Sequence, residues 1–317
     1  MVEDSALTPI EVAEILKISK NTVYELIKRG ELNGYKVGKK VRVDMKDVEA
    51  YKNSTKNSSK NNIVSNKIVS LLEKNNNYTF SENTSLVISG QDIMLDILAR
   101  YLEGHPNGLQ PLRSYEGSYN GLYALYNGKV QAATAHLWDG DTGIYNIPYV
   151  KRMLPGTPAV IIHLAERMQG FYVAKGNSKG IKGWEDISRS DITIINREKG
   201  SGVRVLLDEK LRKMGISTSA INGYTKEASS HLAVASAVSR RTADLGIGCE
   251  KSSLQVKDID FIPLQSEKYE MVIKKEDFKK AHFQAINEIL NSTEFKTEIE
   301  GIGGYNITKM GKITAET

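Results

Sequence analysis

Three short segments combine glycine, serine and charged residues in a way that suits holding an anion. They are Ser89-Gly90-Gln91-Asp92, Tyr115-Glu116-Gly117-Ser118-Tyr119 and Asn196-Arg197-Glu198-Lys199-Gly200-Ser201-Gly202-Val203-Arg204. Each lies where an apolar run gives way to a helical pattern. The first N–H groups of a helix have no partner within it and point at whatever precedes them, so such a junction is a ready anion site. A serine hydroxyl adds a donor, and a guanidinium fork matches a tetrahedral oxyanion. Arg197 and Arg204 bring two forks to the third segment. Either can neutralise a ligand, or pair structurally with Glu198 or Asp208.

Other chemistry is less well supported. GxxxxGK[ST] and GxGxxG are both absent, which excludes the usual nucleotide-phosphate loops. The five histidines are dispersed without HExxH or HxH spacing, and Cys249 is the single cysteine. No protein-held transition metal, disulfide framework or cofactor is therefore expected. Cys249 is expected to be buried and inert. His136 stands near Trp138, Asp139 and Asp141 and could bind metal or act as a base. The preferred reading is a loop network ordering the Asp-Gly-Asp-Thr-Gly turn. No nucleophile is paired with a base as covalent catalysis requires, so an enzyme acting on an anionic substrate is the lesser reading.

A second kind of chemistry lies upstream. From Lys17 to Arg42 eight Lys or Arg residues face only Glu25 and Glu31, although the whole chain is just +5. A local basic patch points to a polyanion. Thr8 before Pro9 starts one helix, and Ser19 caps a second whose inward face is Val23, Leu26 and Ile27, ended by Gly30. Residues 35–43 alternate around Gly38 as a hairpin, and Asp44 caps a last helix through Val48 and Tyr51. This pattern is a helix-turn-helix with a small wing, whose second helix would enter the major groove of double-stranded DNA. Its exposed face would be Lys20, Asn21, Thr22, Tyr24, Glu25, Lys28 and Arg29, with the Ser19 cap also at the DNA and Lys39, Lys40 and Arg42 of the wing along the backbone. Asn21, Thr22 and Tyr24 are the candidates for contact near the helix start.

The elements that must position these groups fall into two regions. The run Asn53–Asn62 is solvated Asn, Ser and Lys, which reads as a linker. Ile63, Val64, Ile68, Leu71 and Leu72 then recur at helical spacing; that helix either packs on a domain or pairs two copies in a homodimer. The expected division is 1–52, 53–84 and 85–317. Beyond Ser85, strands are expected at 86–88, 132–137, 159–164, 170–174, 192–195 and 245–248. Helices are expected at 94–102, 203–214 and 231–239. This alternation predicts a two-lobed α/β domain with mostly parallel sheets, binding ligand beyond the strand ends. With 317 residues, 40% hydrophobic and 26% charged, the chain has material for a sizeable core. It has no apolar run long enough to span a membrane, and Met1-Val2-Glu3-Asp4 is unlike a secretory leader, so a cytoplasmic location is expected.

Two resemblances sharpen this reading. The segment Leu7–Tyr51 resembles the excisionase-like, MerR-related DNA-binding domain, on the residues LTPIEVAEILKISKNTVYELIKRGELNGYKVGKKVRV (7–43). The region from Ser85 to about Ile307 resembles the periplasmic-binding-protein-like (type II) domain linked to molybdate and tungstate recognition. The residues that carry it are NREKGSGVRVLLD (196–208), HLWDGDTGIYNIPYV (136–150), ERMQGFYVAKGN (166–177), HLAVASAV (231–238), ADLGIG (243–248) and EKYEMVI (267–273). The resemblance implies a clamp, one lobe near 85–165 plus 265–317 and the other near 170–262. Its ligand set would be Ser89, Gln91, Ser118, Arg197, Ser201, Gly202, Val203, Arg204 and Tyr269. Val203 stands where the family's GSGTR loop has Thr, which removes one hydroxyl. The implied function is a transcription regulator that senses an oxyanion, molybdate or tungstate first, with sulfate, phosphate or a small organic acid as alternatives.

Overall fold

A computed structural model describes residues 6–38, 40–56 and 86–317. The chain divides between residues 79 and 80 into two compact units.

The first unit holds β1 (Ala6–Leu7), α1 (Pro9–Leu16), α2 (Lys20–Lys28), β2 (Tyr35–Val37), β3 (Lys40–Asp44) and α3 (Met45–Lys56). Thr8 and Glu11 close a reciprocal capping box at the start of α1. Lys17 ends that helix in the left-handed region, and Ser19 caps α2 by accepting from the Thr22 N–H at 3.2 Å. Val12, Val23, Leu26, Leu32, Val43 and Val48 form a small buried core. The hairpin is present, and β1 adds a third strand beside β3 that the sequence pattern did not suggest. Two residues pair there, too few to show an alternation. Helix α3 runs through Lys56, four residues into the expected linker. Asn, Ser and Thr lower helix propensity without breaking a helix as Gly or Pro would. The expected 63–74 helix lies outside the described residues.

The second unit begins with β4 (Val87–Ser89), α4 (Met94–Gly104), β5 (Leu112–Ser114), α5 (Ser118–Tyr126), β6 (Ala132–Ala135) and α6 (Ile147–Met153). It continues with β7 (Ala159–Ala174), β8 (Ile194–Arg197), α7 (Gly202–Met214), β9 (Glu227–Ala228), α8 (His231–Ser239) and β10 (Leu245–Cys249). A short α9 (Glu250–Ser253) leads to β11 (Ile259–Lys274), α10 (Lys275–Phe278), α11 (Ala281–Asn291), α12 (Thr293–Ile302) and β12 (Ile313–Glu316). The strand order is β5-β4-β6-β11-β7-β10-β8-β9, with β12 beside β7.

Here two expectations are corrected. The strands expected at 159–164 and 170–174 are one 16-residue strand. The polar stretch Glu166-Arg167-Met168-Gln169 looked like a break, but Arg167 and Gln169 are buried and the stretch pairs with β11. The sheet is also mixed rather than mostly parallel. β4–β5, β4–β6, β8–β10 and β8–β9 are parallel, whereas β6–β11, β7–β11 and β7–β10 are antiparallel. The antiparallel centre arises because β7 and β11 carry the chain from one lobe to the other and back. Apolar cores lie to either side of that crossing, one around Leu98, Met271 and Phe283, the other around Phe171, Leu207 and Leu245.

Candidate functional sites

Small register shifts decide which residues face the cleft between the lobes. β4 ends at Ser89 and β8 at Arg197, each later than the pattern suggested. Ser89 is thus a strand residue, 1% exposed. Its hydroxyl lies behind α5, where any Cβ at Gly121 would come within 2.8 Å of it, so Ser89 does not line the cleft.

The cleft encloses about 520 Å³ and is lined by Gln91, Ser118, Arg197, Ser201, Gly202 and Tyr269 from the expected set. Helices α4, α5, α7 and α8 all begin at it. The sequence showed three of these starts. The fourth, Ser229-Ser230-His231, follows the two-residue strand β9, too short to register as an apolar run. The hydroxyl of Ser118 accepts the His136 N–H at 3.2 Å, that of Ser201 the Arg204 N–H at 3.2 Å, and that of Ser230 the Ala233 N–H at 3.1 Å. A hydroxyl whose lone pair is so engaged keeps its own proton to donate, which is what an anion needs.

Arg197 is 2% exposed. Its Nε and Nη2 bond Glu198 at 2.8 Å, and Nη2 also bonds Gln91 Oε1 at 2.8 Å. Burial opposes ionisation of the Glu198 carboxyl, but Arg197 outweighs it and holds the pKa below its ordinary value. Nη1 takes part in none of these bonds. Arg204 is committed to structure. It bonds the Arg197 carbonyl at 3.1 Å, Glu227 at 2.9 Å and Asp208 at 3.3 Å, and stacks on Tyr224. Val203 sends its side chain into the apolar core of its lobe. The Arg204 N–H is spent on the Ser201 hydroxyl, so of this pair only the Val203 main-chain N–H is left to serve the cleft.

The cleft floor was not legible. Arg167, in the middle of β7, bonds Asp92 Oδ2 at 2.6 Å and Glu267 Oε1 at 2.6 Å. His136 Nδ1 lies 2.6 Å from Glu267 Oε2, and Tyr305 donates to Asp92 Oδ1 at 2.7 Å. Burial works against the Glu267 carboxylate, yet Arg167 and His136 hold its pKa down at about 2. The Arg167 guanidinium lies 3.9 Å over the Tyr269 ring, whose hydroxyl donates to Thr134 at 2.8 Å. His136 therefore belongs to this floor, not to the turn network expected for it. Asp139 orders that turn instead, accepting from the Thr142 hydroxyl at 2.6 Å and from Arg152 at 3.1 Å. Burial, with Arg197 and Arg167 nearby, pushes the His231 pKa well below its ordinary value. Cys249 lines the cleft, and burial raises its thiol pKa. The signal available in sequence was an adjacent charged pair beside apolar residues in each strand, Glu166-Arg167 and Glu267-Lys268. Nothing in the sequence said that Arg167 and Glu267 meet.

On the first unit, Lys20, Asn21, Thr22, Tyr24, Lys28 and Arg29 are all exposed on α2 and its end. Ser19 and Thr22 are joined through their hydroxyls at 2.9 Å. Lys40 is exposed, Arg42 is half-buried with its guanidinium on the Val41 carbonyl, and Lys39 lies outside the described residues. No group of His, Cys, Asp and Glu among the described residues could hold a metal ion. No described helix is long and apolar enough to cross a membrane.

Residues 99–291 match the PBP superfamily domain, and residues 6–56 match a helix-turn-helix domain. The chain belongs to the PBP superfamily. Among its relatives, the Bacillus subtilis protein YvgK is 43% identical over the whole of both chains. Two solved structures share the fold of the second unit at low identity. A phosphate-bound substrate-binding protein from Clostridium perfringens is 15% identical with a TM-score of 0.52, covering 70% of this chain and 98% of that one. The sulfate-binding protein SubI from Mycobacterium tuberculosis is 11% identical with a TM-score of 0.52, covering 70% and 86%. The molecule is thus a helix-turn-helix domain joined to a two-lobed PBP-like α/β domain.

Proposed function

We propose that this protein is a cytoplasmic, dimeric transcription regulator that binds DNA through its winged helix-turn-helix and senses a small oxyanion in the PBP-like clamp. Molybdate and tungstate are the first ligands to test. The observation that carries the reading is the convergence of four helix starts, Arg197 and three donor hydroxyls on one cleft. Main-chain N–H groups and neutral hydroxyls fix the geometry of an anion as well as its charge. The floor carboxylates Asp92 and Glu267 are already occupied by Arg167, His136 and Tyr305. One small winged motif contacts little DNA, which supports a dimer with two half-sites. Engagement of the cleft serines by main-chain N–H groups, with no base on their hydroxyl protons, supports binding over catalysis.

One observation favours a second reading, an organic acid as ligand. The cleft of about 520 Å³ exceeds the needs of a tetrahedral ion. Ile93, Tyr115 and Leu232, all on its lining, keep large exposed apolar surfaces. Calorimetric titration with molybdate, tungstate, sulfate and phosphate separates the readings. Tight binding of molybdate or tungstate alone supports the first, and binding of none of the four moves the search to organic anions. DNA affinity with and without the bound ion then tests regulation, since a ligand shifts an equilibrium only by its differential affinity for the two states.

A further inference from the structure

The Asp139–Gly143 turn has no part in the cleft, yet the opposite lobe grips it. The Gly140 N–H donates to Glu209 Oε2 at 2.9 Å, and the Gly140 carbonyl accepts from Lys213 Nζ at 2.8 Å. One peptide segment of the first lobe is thus held at both polar groups by side chains of α7. Arg212 adds Asp141 at 2.7 Å and braces Glu209 at 2.7 Å. Lys210 lies 4.3 Å over the Trp138 ring of the first lobe and 5.6 Å from the Trp184 ring of its own. A Cβ at residue 140 would press on the end of the Glu209 side chain, so glycine lets the carboxylate come close without a shift. None of these groups lines the cleft. Helix α7, however, begins in the cleft at Ser201 and Gly202, so one rigid element carries both the anion site and this grip.

We propose that the Gly140 turn and the second half of α7 form a latch between the lobes, separate from the anion cleft, that sets the closed fraction of the clamp and hence its affinity for the anion. The inference rests on the cleft being the anion site. Apparent affinity scales with the population of the binding-competent state, so a latch outside the cleft acts on it without touching the ligand. Its contacts are charged and partly exposed, so salt weakens the latch.

Both tryptophans of the chain flank Lys210, so intrinsic fluorescence reports on the latch directly. The test uses the full chain, wild type against the Asp141→Ala/Glu209→Ala double variant, with circular dichroism to verify folding. Without any anion, the variant's emission is expected to move to longer wavelength, and added salt is expected to shift wild type the same way. Its Kd for molybdate is expected to rise about tenfold, as a drop of the closed fraction to about a tenth would produce. Unchanged emission together with unchanged Kd overturns the latch. If wild type binds neither molybdate nor sulfate, the anion reading fails by calorimetry, while the emission arm alone still decides the latch. Should the double variant not fold, Arg212→Ala, at an exposed position, is expected to give a smaller shift of the same sign; no shift there overturns the proposal.

Discussion

Arg167, in sequence only a part of the run ERMQGFYVAKGN, ties two buried carboxylates together in the second unit. It is 5% exposed and set between two carboxylates from distant parts of the chain. Removing it takes the shared guanidinium from buried Asp92 and leaves Glu267 with His136 alone, a change that costs about 3–5 kcal/mol. Arg167→Ala is therefore expected to lower unfolding free energy in denaturant titration by that amount, or to prevent folding. The same site gives a pH dependence. The Glu267 pKa is depressed from 4.5 to about 2 in the fold. Its stabilisation is complete above the ordinary value and is lost as pH falls from about 4.5 toward about 2. Acid titration of stability is expected to show a fall in that window, which Glu267→Gln removes. Arg197, Ser118 and Ser201 were legible because short Gly/Ser segments advertise helix starts. Arg167 and Glu267 were not, because they lie a hundred residues apart and only the β7–β11 register brings them together.

Helices and hairpins with local punctuation were readable at the scale of the element. Helix α8 spans His231–Ser239, as its apolar pattern predicts, although its Ser230 cap was not foreseen, and the α1–α2 pair follows its Thr8 and Ser19 caps. The crossing strands were misread because a buried ion pair resembles a loop when its partner is unknown. Ser201 does two jobs for α7, capping Arg204 N–H and facing the cleft. Ser201→Ala is expected to destabilise the second unit by about 1 kcal/mol through loss of the cap. It should also weaken anion binding, as calorimetry would show; undiminished affinity moves the anion away from α7. On the wing, replacing Lys39 and Lys40 by Ala is expected to weaken binding to all DNA sequences. The slope of log K against log salt should flatten by about 0.9 for each phosphate that is no longer neutralised. An unaltered slope would take the wing out of the interface.

For the whole molecule, an anion bound to the clamp is linked to folding. At a free concentration 100 times its Kd, it is expected to stabilise the second unit by about 2.7 kcal/mol. Thermal melts with increasing molybdate would show this as a rising midpoint, and Arg197→Ala should abolish the rise.

The two crossing strands have a consequence for how the chain is made. The lobe containing Phe171 and Leu207 is built largely from consecutive residues between the crossings. The other lobe is split, with β4 to β6 before that segment and β11, α11 and α12 after it. At ribosomal speeds, roughly 100 residues of delay separate β7 from its partner by about 5–20 s. Through that interval a long, apolar strand waits with open edges, and the lobe that was started first is finished last. Between the two crossings the nascent chain is therefore expected to be open to aggregation, which a chaperone-depleted translation assay would show as loss of soluble chain.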